Sequence, residues 1–207
     1  MSPYIDGSSE VEAGIVVTAV ILIVVGVALA IVISYNRFVA QRASLRASWA
    51  GIDVELQRRH DLVPNLVETV SGYASHEARL FERVTSARSH AIAATSDTVP
   101  VTDQARAEDA LTGGLTSLLA VAEAYPDLKA DGAFRDLQRQ LVEIEDRIAA
   151  SRRLYNIDVA AYERRRLAFP SNLVASSFGF HHEELFEIED AGAKHATVVA
   201  WSSDGST

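Results

Sequence analysis

Residues 66–91 read LVETVSGYASHEARLFERVTSARSHA. Within them Leu66, Val70, Tyr73, Glu77, Leu80, Val84, Ala87 and Ala91 recur at alternating spacings of four and three. This is the spacing of a coiled-coil seam held over nearly four heptads, with Glu77 its single charged member. Such a stripe has a place only against other helices, so it predicts an all-α domain.

Upstream, Leu45, Trp49, Ile52 and Leu56 repeat at four, three and four, which predicts a helix ending near His60. Asp61 suits the N-cap of the next helix, with Pro64 in its first turn, where a missing N–H is harmless. The alternative is one helix kinked at Pro64. Downstream, residues 95–102, with Pro100, break the pattern and read as a loop. Leu111, Leu115, Leu118, Ala122 and Tyr125 form a third seam starting near Asp103, and Gly113-Gly114 on that helix is a packing feature allowing close approach. A short connection from Pro126 to Gly132 implies an antiparallel neighbour. That fourth helix spans about residues 133–168, with Phe134, Leu137, Leu141, Ile144 and Ile148 on its face and Pro170 as its stop. The apolar residues of 171–189 predict a segment folded back on the bundle.

Residues 13–33 carry no charge and, at 1.5 Å per residue, reach about 31 Å, the thickness of a bilayer core. A cleaved signal peptide would need a basic start. Here Asp6, Glu10 and Glu12 precede the stretch, so it reads as an uncleaved anchor. Arg37, Arg42 and Arg46 follow it, and the next acid is Asp53. By the positive-inside rule the N-terminus lies outside and the bulk of the chain in the cytoplasm, in a cell (inner) membrane crossed once. The expected order is an acidic tail at 1–12, a transmembrane helix at 13–33, an antiparallel four-helix bundle within 34–189, and an acidic disordered tail at 190–207.

Composition narrows the chemistry. The absence of Cys rules out disulfides, thiolate nucleophiles and thiolate metal sites. A net charge of −9 without a basic stripe argues against nucleic acid as a partner. Six His are present, yet none lies in a Glu-x-x-His or His-Glu-x-x-His motif. No nucleophile elbow or phosphate-binding glycine loop occurs, so neither catalytic residues nor a cofactor are expected. One polar group, His60, Asp61, Asn65 and Glu68, has two readings: helix capping in a solvated turn, or a ligand site at the bundle end. Arg164, Arg165 and Arg166 near the end of the fourth helix suit its dipole or contact with anionic lipid.

Several blocks carry a resemblance. Tyr35-Asn36-Arg37-Phe38-Val39, Trp49-Ala50-Gly51-Ile52-Asp53-Val54 and Arg58-Arg59-His60-Asp61-Leu62-Val63-Pro64-Asn65-Leu66-Val67 are followed by Gly72-Tyr73-Ala74 and His76-Glu77. Then come Ala122-Glu123-Ala124-Tyr125-Pro126-Asp127-Leu128-Lys129, Leu137-Gln138, Tyr155-Asn156 and Phe169-Pro170-Ser171-Asn172. In this order they resemble the LemA family over residues 35–187. The resemblance implies an N-terminal anchor, an antiparallel helical bundle, and a role in membrane organisation or envelope maintenance with no established reaction. The reading that follows is a non-enzymatic membrane scaffold or adaptor. Its expected partners are membrane lipids and either further copies of itself or another membrane protein. The alternative is an enzyme or ligand-binding protein using the polar group near His60.

Overall fold

A computed structural model describes residues 7–96 and 98–187, and among them every regular element is a helix. The elements are α1 (Gly7–Tyr73), α2 (Ala78–Ala94), α3 (Val101–Ala122), α4 (Pro126–Ala130), α5 (Gly132–Leu167) and α6 (Ser171–Ser177). The expected tail at 190–207 and residues 1–6 of the N-terminal tail lie outside the described residues. Residues 7–12 already belong to α1.

The expected helix end near His60 is corrected: α1 runs through Pro64 without a break and stops at Tyr73. Pro64 has no N–H to give the carbonyl of His60, one turn back. Arg88 of α2 replaces it, its Nε donating to that carbonyl at 2.6 Å. The break falls at residues 74–77 instead, inside the seam that looked continuous. Gly72, Ser71 and Ser75 are weak helix formers clustered there. Leu66, Val70, Leu80, Val84 and Ala91 are buried as the seam requires, but Tyr73 is 43% exposed. Glu77, half-buried, marks the start of α2, and its carbonyl accepts from the amides of Leu80 and Phe81. The spacing survives the turn because the two helices face the same core.

The described residues divide into two compact units, one of residues 7–47 with 157–183, the other of 48–96 and 98–156 with 184–187. In the second unit, α1, α2, α3 and α5 all contribute to one buried apolar cluster, among them Leu66, Val84, Leu111, Leu118 and Leu141. Gly114 lies at the contact of α3 with α2, where a Cβ would meet Val84 at ordinary van der Waals distance, 3.4 Å from its Cγ2 and 3.7 Å from its Cα, whereas a Cβ at Gly113 would meet open space. The connection after α3 holds the extra turn α4, opened by Pro126 at its start, with Leu128 buried. Asp131 then caps α5: its Oδ1 accepts from the amides of Ala133 at 2.7 Å and Phe134 at 3.1 Å. Its other oxygen accepts from the Tyr73 hydroxyl at 2.9 Å. Trp49 packs edge-on against both Tyr155 and Phe186, and Asn156 exchanges two bonds with the Phe186 backbone.

In the first unit, α6 ends in a Schellman turn: the amide of Phe180 donates to the carbonyl of Ala175 at 3.0 Å, with Gly179 at φ 70°. The turn delivers Phe180 onto Phe38, ring centroids 4.6 Å apart. Glu163 holds the next residues, accepting from the amide of Glu183 at 3.0 Å. Segment 171–186 is thus folded back, as its apolar content predicts. The residues of α1 from Val11 to Ile33 are exposed throughout, forming the only described stretch long and apolar enough to cross a membrane.

The Pro64–Arg88 arrangement gives a direct test. Arg88→Met should cost about 1–3 kcal/mol by leaving a buried carbonyl unpaired. Pro64→Ala restores the helix's own N–H to His60, so most of that loss should vanish in the double variant. Additive effects in denaturant unfolding would show that the two residues are not coupled.

Candidate functional site

The seams of two helices each contain a charge that extends their spacing. Residues 45, 49, 52, 56, 59, 63, 66 and 70 of α1 alternate four and three, which places Arg59 on the core face. Residues 104, 108, 111, 115, 118 and 122 do the same on α3, which places Gln104 and Glu108 there. Both Arg59 and Glu108 are fully buried. Neither was singled out by the apolar pattern alone; the signal was the continued register, carried by residues of opposite charge.

Arg59 and Glu108 form a direct ion pair through Nη2 and Oε2. Nη1 of Arg59 also donates to Oε1 of Glu145 on α5 at 2.9 Å and to Oγ1 of Thr112 at 3.0 Å. His60, equally buried, places Nε2 at 2.9 Å from Oε1 of Glu108. An ionised carboxylate only accepts, so Nε2 carries the proton. Burial alone would push the Glu108 carboxyl up, but the His60 hydrogen bond and the Arg59 charge outweigh it and hold it below its ordinary value. For Arg59, burial acts downward and the charges of Glu145 and Glu108 more than offset it, so it stays protonated. The arrangement is a buried charge network bridging α1, α3 and α5, with Nε of Arg59 and Nδ1 of His60 left without a hydrogen-bond partner.

The four residues of the polar group are therefore not gathered at one place. His60 points into the core, while Asp61, Asn65 and Glu68 are exposed along α1. Asp61 and Asn65 line a shallow groove of about 360 Å³ with Arg58, Gln140, Glu143 and Arg147. Its charges are already paired: Arg58 with Glu55 at 3.2 Å, Arg147 with Glu143 at 2.5 Å, and Asp61 with the Gln57 amide at 2.8 Å. Glu68 lies outside it. Since α1 is continuous here, Asp61 serves no N-cap, and the group lies within the helix, toward its C-terminal end at Tyr73.

The three consecutive arginines also separate. Arg166 is tied to Glu163 at 2.8 Å, and Arg164 is exposed. Arg165 is half-buried and lines a second, mainly apolar groove of about 650 Å³ beside α6 and residues 27–37 of α1. Among the described residues no cluster of three or more His, Asp or Glu has the geometry to hold a metal ion. His182 instead pairs with Glu163 at 3.1 Å.

A family model described as the LemA family matches residues 48–200. The chain belongs to the LemA family. Among similar proteins, "Magnetosome protein MamQ 2" of Paramagnetospirillum magneticum is 26% identical over 209 aligned residues, covering 90% of this chain and 76% of that protein. "Magnetosome protein MamQ" of Magnetospirillum gryphiswaldense is 26% identical over 180, covering 76% and 66%. "Protein LemA" of Metamycoplasma hominis is 21% identical over 155, covering 75% and 69%. The family match includes the whole charge network and the groove at Asp61 and Asn65, whereas the α1 wall of the second groove, residues 27–37, lies before it.

Glu108→Gln should destabilise the protein by about 3 kcal/mol at neutral pH, because Arg59 then remains buried with one carboxylate fewer. The Glu108 value in the folded chain lies below 4.5, its ordinary value. Its contribution is therefore complete above about pH 4.5 and is lost as pH falls through the folded value. The stability gap between the two proteins should narrow below that pH in urea titrations from pH 7 to 3. A gap constant over the range would show that Glu108 contributes no charge.

Proposed function

We propose that this LemA-family protein is a membrane-anchored, non-enzymatic scaffold or adaptor, its helices arranged as an antiparallel four-helix bundle on the cytoplasmic side of the cell membrane. One observation carries the reading. A single helix, α1, bears an exposed apolar stretch at one end and the buried Arg59–His60 network at the other, with no linker between. Such a helix holds a folded domain directly to a bilayer. Arg37, Arg42 and Arg46 just beyond the apolar stretch support an N-terminus outside. The MamQ 2 alignment leaves about 21 residues of the chain unmatched, so it reaches into the apolar stretch, which supports the anchor as a shared part.

The buried network favours a structural role over a chemical one. Its acid, base and cation, Glu108, His60 and Arg59, are shut from solvent and bonded to one another, whereas a catalytic group must meet a substrate. The groove at Asp61 and Asn65 is the second reading, as a ligand site, and its internally paired charges weaken it. Confinement of anchored copies to two dimensions raises their effective concentration and favours lateral self-contact.

Crosslinking in intact membranes followed by identification of the captured chains tests the proposal. A dominant self-complex supports a scaffold, and one reproducible membrane-protein partner supports an adaptor. Monomers alone, under conditions that capture a known complex, count against both. In the same cells, external protease should leave residues 34–187 intact, and their cleavage would reverse the orientation.

A further inference from the structure

We propose that the groove beside α6 is a binding site for one anionic phospholipid, drawn from the bilayer that α1 enters. The inference rests on the membrane reading above and goes beyond it by naming a ligand and its site. The groove holds about 650 Å³. One wall is α1, with Val27 and Ile31 from the apolar stretch; the other includes Leu173 and Phe178 of the α6 region. All four are exposed side chains, with Leu173 at 57% and Phe178 at 53%. Apolar walls continuous with a membrane-spanning surface are surrounded by acyl chains, so an acyl chain is the natural filling of the lower part.

The upper part is polar and cationic. Arg37, four residues past the apolar stretch, and Arg165 both line it, together with Ser34. Nε of Arg165 and Oγ of Ser34 are shut from solvent and have no hydrogen-bond partner in the protein. A guanidinium donor and a hydroxyl left unanswered beside an apolar groove match what a phosphate oxygen supplies: strong acceptors and negative charge. Arg166 is held by Glu163 and does not line this groove, which leaves Arg37 and Arg165 as the cations for the headgroup. Leu167, 68% exposed at the end of α5, and Phe169, 80% exposed between α5 and α6, present further apolar side chains to the surroundings, as expected of a segment lying in the interfacial layer.

The full-length protein, reconstituted in nanodiscs of mixed phosphatidylglycerol and phosphatidylcholine and then extracted in mild detergent, should retain phosphatidylglycerol preferentially in native mass spectrometry. Arg37→Gln and Arg165→Gln should each lower that retention about fivefold, and the double variant more. Arg164→Gln, which alters an exposed residue outside the groove, should retain it like the parent, and matching melting curves should show all variants folded. Equal retention of the two lipids, or retention untouched in the double variant, overturns the site. Carbonate extraction separates the two proposals: release of the protein from membranes refutes the anchor itself, whereas a retained protein without lipid preference refutes the site alone.

Discussion

The buried guanidinium of Arg59 is the constraint around which the LemA-matched helices are arranged. A charge inside a helical core is tolerated only with counter-charge and hydrogen bonds in place. Here α3 supplies Glu108 and Thr112, and α5 supplies Glu145. His60, next in sequence, takes the remaining oxygen of Glu108. Its carbonyl, freed by Pro64, takes Arg88 from α2. Two adjacent residues of α1 thereby bond to each of the other three long helices. Apolar seams accept sliding by a turn at modest cost, but these bonds do not, so the network fixes which turn of each helix faces which.

The same helix carries two kinds of surface. From Ala13 to Ile33 its side chains are uncharged and exposed on every face, a surface that fits a membrane anchor. Toward its end a four–three stripe is buried and the other faces are polar, which suits one wet side and one packed side. The change occurs within one uninterrupted element, so the surface beside the end of the apolar stretch follows from residues 27–37 and from whatever is folded against them. In this protein that is the α6 region, held by the Schellman turn at Gly179 and by Phe180 stacked on Phe38.

Several parts were legible in sequence because they rest on local periodicity. The apolar stretch, the helical class, the seams of α3 and α5, and the return of segment 171–186 all follow from spacing and hydrophobicity. The helix boundaries near Pro64 and Glu77 were not. A proline predicts a break when only the chain's own hydrogen bonds are considered, and the donor that rescues the helix is Arg88, 24 positions away. Conversely, a seam running evenly through residues 66–91 conceals a turn, because two helices facing one core share its spacing.

The polar residues divide on the same principle. The sequence by itself determined that His60, Asp61, Asn65 and Glu68 lie close along the chain, and that Arg164, Arg165 and Arg166 lie near a helix end. Only the tertiary structure decided that His60 turns inward while its three companions remain exposed, and that Arg165 alone among the three arginines lines the groove beside α6. Residues adjacent in a helix point about 100° apart, so proximity in sequence scatters side chains over different faces. What joins Arg59 to Glu108, or Arg37 to Arg165, is the packing of one helix face on another, and that is set by the whole core rather than by any local stretch.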